Sequence, residues 1–300
     1  MQGENLISVF INPVSGGGAG SRLYDALEKR RADDPFLKKH IAGIFFTPLP
    51  GNGVATRDAL NAAPTALICG GDGTVHHMVN LIKTSGQNRR ISVFPLGTGN
   101  DFALNLGSGE TDIFRHLRRL IDRPTAREVD IFSLNGRVFF TNYASFGLDA
   151  HILSLHQSAV RRVGRLLPFP FLRRSLYLPV GLWAFVTYGK KVADGEKSHT
   201  CVIAANLRTY AGGSVISQTS SPADGMMELV PIDGKGAFLK LVLSRYFPAL
   251  HPNARSSRPP LSIRTRGDSP VQVDGEDYSA QFAGTGEFTI THEGSITVCI

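Results

Sequence analysis

Three glycine-rich turns hold the residues with chemical potential. The first is Asn12-Pro13-Val14-Ser15-Gly16-Gly17-Gly18, the second Gly70-Gly71-Asp72-Gly73-Thr74, and the third Pro95-Leu96-Gly97-Thr98-Gly99-Asn100-Asp101. Glycine lets main-chain N–H groups approach an anion closely, and a helix starting just beyond adds the positive end of its dipole. Ser15, Thr74 and Thr98 add hydroxyl donors. The chemistry implied is phosphate binding. One such turn is weak evidence, since tight turns need glycine anyway; three of them on one sheet edge favour phosphate. No G-x-x-x-x-G-K-[ST] occurs, which excludes a P-loop, and no G-x-G-x-x-G follows the first apolar run, which argues against a standard dinucleotide site.

The turns need a scaffold that brings them to one edge. Apolar runs at Leu6–Ile11, Ile41–Thr47, Ala66–Cys69 and Ile91–Phe94 read as strands. Helical pattern follows at Ser21–Arg31, Val54–Ala62, Val75–Lys83 and Asp112–Ile121. Strand–turn–helix repetition with strands apolar on both faces predicts a doubly wound, Rossmann-like parallel sheet. Near Arg127 the pattern changes to strand signals: Glu128–Leu134, Val138–Asn142, Thr200–Asn206, Met226–Ile232, Leu261–Arg264, Val271–Val273, Glu287–Thr291 and Ser295–Ile300. Helical pattern there is confined to Ala150–Leu155, Ser175–Tyr188 and Ala237–Phe247. The expected architecture is an α/β domain over residues 1–126 and a mainly antiparallel β-sandwich over 127–300, with the break near Pro124.

The 300 residues suffice for two cores, and the formal net charge of +7 suits anionic partners such as nucleotide phosphates or acidic lipid. Three scattered cysteines, Cys69, Cys201 and Cys299, argue for a reducing compartment and against a disulfide frame or zinc site. No secretory signal pattern opens the chain, and the longest apolar region, Leu176–Tyr188, is broken by Pro179 and too short to span a bilayer. A cytoplasmic protein, peripheral to a membrane at most, is expected. Nucleic acid is a poor fit, because no recognition-helix, RNP-like or zinc motif is present.

The sequence resembles the diacylglycerol kinase catalytic-domain family, which includes bacterial lipid kinases, sphingosine kinases and ceramide kinases. The anchors are the three turns, with the third extending through Phe102-Ala103, and Phe146-Gly147-Leu148-Asp149-Ala150, Asp224-Gly225-Met226 and Val273-Asp274-Gly275-Glu276. The Asp72 turn alone is shared with NAD kinases; residues 95–103 together with Asp274-Gly275-Glu276 are more specific to lipid kinases. The resemblance implies an N-terminal α/β domain and a C-terminal β-sandwich forming a cleft, with ATP as co-substrate and Mg²⁺ as cofactor. By position it implies nucleotide contacts at Asn12, Pro13, Ser15, Gly16, Thr47, Gly71, Asp72, Gly73, Thr74 and Thr98. It assigns Glu276 as catalytic base and Asp224 as a direct metal ligand, with Ser221 and Met226 carbonyls completing the shell. Asp72 and Asp101 match family acids in the carboxylate–water–Mg²⁺ network.

Each acid also has a structural reading. Asp72 can cap the helix starting near Thr74, Asp101 a following turn, and Asp274-Gly275 can be a simple hairpin turn with Glu276 solvated beside it. Two positions depart from the family pattern. A basic residue is common at Gly17 or Ala19, for which Arg22 is the available substitute, and a glutamate is common where His77 stands. Arg161, Arg162, Arg165, Arg173 and Arg174 surround Leu166, Leu167, Phe169, Phe171 and Leu172, a pattern suited to an anionic membrane surface or to an ordinary packed loop. The expected activity is phosphoryl transfer from ATP to a lipid hydroxyl of diacylglycerol or sphingoid-base type. A kinase of a soluble acceptor and a non-catalytic nucleotide- or lipid-binding relative are the rivals. The oligomeric state, homodimer included, stays open.

Overall fold

The structure is a computed structural model and describes residues 6–47, 58–97, 99–163, 176–195 and 197–300. It divides into two compact units, residues 1–131 with 294–300, and residues 132–293. The first unit therefore takes its final strand segment from the far end of the chain, where the sequence pattern had placed it with the second.

The first unit contains β1 (Ile7–Ile11), α1 (Ser15–Asp33), α2 (Pro35–His40), β2 (Ile41–Phe46), β3 (Thr65–Gly70), α3 (Asp72–Thr84), β4 (Arg90–Pro95), α4 (Asp101–Asn105), α5 (Ile113–Asp122) and the start of β5 (Ala126–Leu134). Its strands run parallel in the order β2-β1-β3-β4. Alternation along β1 shows how both faces are covered. Ile7, Val9 and Ile11 pack with Leu27 of α1, Leu37 of α2 and Leu117 of α5. Ser8 points the other way, and its hydroxyl donates to the Ala59 carbonyl at 2.7 Å. Of the helix expected over Val54–Ala62, residues 58–62 lie among those described; 58–61 are helical and Ala62 is in the turn that follows. Each fully buried Val, Leu or Ile here contributes about 1.5–3 kcal/mol.

The second unit continues with β6 (Val138–Phe140), β7 (Tyr143–Gly147), α6 (Leu148–Val163), α7 (Tyr177–Thr187), β8 (Val192–Ala193), β9 (Ser198–His199), β10 (Cys201–Ala205), β11 (Thr209–Tyr210) and β12 (Ser214–Val215). It then runs through β13 (Met227–Ile232), α8 (Gly234–Leu243), β14 (Arg255–Ser257), β15 (Leu261–Thr265), β16 (Val271–Val273), β17 (Glu276–Asp277) and β18 (Glu287–Cys299). A six-stranded sheet has the order β14-β13-β10-β7-β16-β17, and every pairing in it is antiparallel. Ala144, Phe146, Val202, Ala204 and Met227 from one face of this sheet share a core with Phe132, Phe140, Ile263 and Phe288. The alternate residues Tyr143, Cys201, Ile203 and Val230 pack instead under α6, α7 and α8, with Ile152, Ala184 and Phe238. The second unit is thus a β-sandwich with helices over one outer face, richer in helix than the sequence pattern showed.

Three local expectations are corrected. β7, a central strand, was not legible as one. Glu287–Thr291 and Ser295–Ile300 form a single strand, β18, passing through Gly294 at φ 89°. The helix expected over Ala150–Leu155 is the sixteen-residue α6.

Candidate functional site

The three glycine turns follow β1, β3 and β4, which are neighbours in the parallel sheet, so all lie at its carboxyl edge. They are tied to one another. Asn12 Nδ2 donates to Thr74 Oγ1 at 3.0 Å, joining the first turn to the second. Asp72 joins the second to the third: its Oδ2 accepts the Asp101 amide at 3.1 Å and its Oδ1 the Phe102 amide at 3.0 Å. Asp72 therefore caps α4 on the neighbouring turn, not its own helix. A Cβ on Gly97 would fall 2.5 Å from Gly71 Cα, and one on Gly16 would fall 2.9 Å from the Leu96 carbonyl oxygen. These contacts leave no room for a side chain where turn meets turn.

The first turn differs from an ordinary helix start. Gly16, Gly17 and Gly18 have φ of 61°, 65° and 91°, left-handed values that place them outside the helical path of the rest of α1. A would-be Cβ on Gly17 meets nothing within 4 Å, so the main chain there is open. The Arg22 guanidinium stands 3.8 Å from the Cβ position of Gly18, which puts a cation over the turn that lacks one of its own.

The second unit carries the other acids. Asp274 (φ 49°) and Gly275 (φ 84°) form the left-handed two-residue turn between β16 and β17. The Asp274 carboxylate is buried and accepts three main-chain amides: Thr141 at 3.2 Å, Asn142 at 3.0 Å and Tyr143 at 2.9 Å. It is a clasp that fixes the turn, and Glu276, the first residue beyond it, is exposed. Tyr278 next to it is pushed up to about 12 by burial, then by the charges of Glu276 and Asp274.

Asp224 is exposed on the 221–226 turn, where its Oδ1 accepts the Met226 amide at 2.9 Å. Buried Glu228 lies close behind, with its carboxyl pKa raised by desolvation and then by the Asp224 charge. Among the described residues no group of three or more His, Cys, Asp or Glu side chains converges as a metal site. The turn does carry the Asp224 carboxylate, a hard oxygen donor of the kind Mg²⁺ takes. In donor type, then, the Asp224 carboxylate suits a divalent cation.

Residues 7–134 match the family model of the diacylglycerol kinase catalytic domain. Over those residues the chain is similar to the diacylglycerol kinase catalytic domain. YtlR of Bacillus subtilis (strain 168), named as a lipid kinase, is 24% identical over 254 residues, 77% of this chain and 78% of that protein. The diacylglycerol kinase of the same organism is 29% identical over 178 residues, 59% of this chain and 57% of its own length. A crystal structure of a diacylglycerol kinase from Bacillus anthracis str. Sterne has a similar fold, with TM-score 0.66 and 17% identity over 98% of this chain and 96% of that one. The chain thus spans most of YtlR but less than two thirds of the Bacillus subtilis diacylglycerol kinase.

Within the matched residues 7–134, the structure brings Asn12, Pro13, Ser15, Gly16, Gly71, Asp72, Gly73, Thr74 and Asp101 to the carboxyl edge. Thr47 follows β2 but is fully buried, and its hydroxyl faces the Met78 sulfur at 3.7 Å, so it offers no open donor. Thr98 lies outside the described residues. His77 is exposed on α3. Sequence reasoning missed Asn100. Its side chain bonds Gly97 reciprocally, accepting its amide and donating to its carbonyl at 2.9 Å each, while its own φ is 54°. The signal was available, since asparagine is one of the few side chains tolerating that conformation.

Proposed function

We propose that the protein is an ATP- and Mg²⁺-dependent lipid kinase. It transfers the γ-phosphoryl group to a hydroxyl of a membrane lipid of diacylglycerol or sphingoid-base type. The observation that carries this reading is the set of three glycine turns bonded to one another at one sheet edge. The left-handed Gly16–Gly18 turn, open at Gly17 and with Arg22 beside Gly18, forms an anion cradle suited to a triphosphate. The names of YtlR and of the Bacillus subtilis diacylglycerol kinase favour a lipid as acceptor.

In the reaction the acceptor oxygen forms a bond to the γ-phosphorus, the bond to the β-phosphate oxygen breaks, and ADP leaves. Glu276 takes the hydroxyl proton; an exposed carboxylate set by a rigid Asp274-Gly275 turn suits that task. Asp224, with the carbonyls of Ser221 and Met226, would hold Mg²⁺, whose charge offsets that of the phosphates. Asp72 and Asp101 act by fixing the second and third turns together.

Incubation with radiolabelled ATP, Mg²⁺ and mixed lipid micelles, followed by organic extraction, tests the reading. Label in the lipid phase supports it. Label in a water-soluble acceptor, or nucleotide binding without transfer, overturns it. Glu276→Gln lowers turnover at least about 100-fold if Glu276 is the base; unchanged turnover removes that role from it.

A further inference from the structure

Seven of the nine large apolar side chains exposed among the described residues lie on or just beyond α7 and α8. On α7 they are Leu182, Trp183 and Val186, 63%, 64% and 64% exposed. On α8 and the residues after it they are Leu239, Val242, Tyr246 and Phe247, 51%, 43%, 70% and 61% exposed. The spacings i, i+1, i+4 on α7 and i, i+3 on α8 put each set on one side of its helix, and Tyr246 and Phe247 follow in the turn after α8. The opposite sides are satisfied: Ala184, Phe238 and Leu241 are buried in the core beneath. The two helices adjoin. The Phe185 and Phe238 rings are 6.5 Å apart, and Lys235 Nζ donates to the Val186 carbonyl at 2.6 Å.

The charge carried by these two segments is cationic, with Asp268 paired to Lys190 and Asp233 standing just before α8. Residues 176–191 and 234–247 contain five cations, Lys190, Lys191, Lys235, Lys240 and Arg245, and no Asp or Glu. Apolar side chains with a tryptophan among them, flanked by an excess of cations, match the boundary between headgroups and acyl chains of an anionic bilayer. A second copy of the chain would set like charge against like. Nucleic acid would leave the apolar side chains uncovered.

We propose that the outer faces of α7 and α8 are the membrane-docking surface and insert their apolar side chains into an anionic leaflet. This deepens the lipid-kinase reading, on which the choice of a bilayer rests. It places docking on residues other than the arginine-rich stretch, of which Arg165, Arg173 and Arg174 lie outside the described residues.

Trp183 is the only tryptophan in the chain and reports directly. Native protein is titrated with phosphatidylcholine vesicles with and without phosphatidylglycerol. The expected result is a blue shift of Trp183 emission with phosphatidylglycerol, quenched by brominated acyl chains and weakened by salt. Lys240→Gln with Arg245→Gln should weaken binding on the order of 30-fold, and Leu239→Ser with Val242→Ser should also weaken it, with melting temperature unchanged. No blue shift, or binding unaltered in both variants, overturns the proposal. So does a dimer, seen by sedimentation without vesicles, that Leu239→Ser with Val242→Ser dissociates. Phosphorylation of a short-chain diacylglycerol below its micelle concentration separates the two readings. Turnover of that acceptor without vesicle binding defeats the docking surface alone; vesicle binding with no turnover of any lipid defeats the kinase reading alone.

Discussion

In the first unit the glycine turns expose main chain at Gly17, and the side chains near them tie turn to turn. Asn12, Asp72 and Asn100 spend their hydrogen bonds on other turns or on their own. In the second unit the relation is reversed. There the main chain is pinned by a buried carboxylate, Asp274, and the side chains left at the surface, Glu276 and Asp224, are the ones with chemistry to offer. A site built from amides is sensitive to shape, because any added Cβ intrudes. A site built from carboxylates is sensitive to charge and to proton concentration.

The largest effect should come from the carboxylate that organises main chain. Asp274→Ala leaves three buried amides without acceptors and should cost about 3–5 kcal/mol in urea unfolding. A loss under about 1 kcal/mol would mean that water replaces the carboxylate easily, and the contrast between the units would weaken.

Next come two buried titrating groups of opposite sign. His116 in the first unit is held at about 4 by burial, then by Arg119, with its Nε2 2.9 Å from the Ser92 hydroxyl. Its folded pKa lies below the unfolded value, so stability is full above about 6.5 and is lost as pH falls toward 4, by about 3 kcal/mol. Asp149 in the second unit is raised to about 6 by burial, against hydrogen bonds from Ser145 and Gln272. Its folded pKa lies above the unfolded one, so stability is full below about 3.8 and is lost as pH rises through 6, again by about 3 kcal/mol. Urea midpoints across pH should therefore rise on acidification of His116→Gln relative to the parent chain. They should flatten between pH 4 and 7 in Asp149→Asn, which keeps an oxygen for Ser145 and Gln272.

Gly97→Ala tests the shape argument. Its Cβ would press on Gly71 Cα at 2.5 Å, and the turns must part, at about 1–3 kcal/mol with a matching loss of nucleotide affinity. Gly17→Ala, whose Cβ meets no atom within 4 Å, pays only for its positive φ and should be milder. Equal effects on ATP titration would show that the packing between turns is unimportant. Smallest is Asn100→Gly, which keeps the left-handed φ but removes both bonds to Gly97, for about 1 kcal/mol by thermal melting.

Much of the first unit was legible because its punctuation is glycine. A glycine that must take left-handed φ or admit another chain segment, as at Gly16 or Gly97, leaves its mark in the sequence. What the turns do to each other was not legible, since Asp72 reaches across twenty-nine positions to Asp101. β7 escaped because Tyr143-Ala144-Ser145-Phe146-Gly147 mixes small and polar residues. Its burial comes from a sandwich partner on one side and helices on the other, which no local pattern reports. The apolar run over α7 gave its helix but not its faces: being apolar nearly throughout, it has no period to separate Ala184, which is buried, from Trp183, which is not. Thr47 fits a hydroxyl donor by type, but burial against Met78 depends on a helix thirty-one residues away.

β18 has a consequence for the order of synthesis. Val298 pairs with Ile91, and the Ile300 amide bonds the Thr125 carbonyl at 2.9 Å, so the edge of the glycine-turn sheet beside β4 is closed by residues made after all of the second unit. On the ribosome that edge stays unpaired while more than half of the chain is translated, a template for wrong strands. A nascent chain of this protein can form its phosphate turns early, but it can seal the sheet beneath them only once residue 300 is free of the exit tunnel.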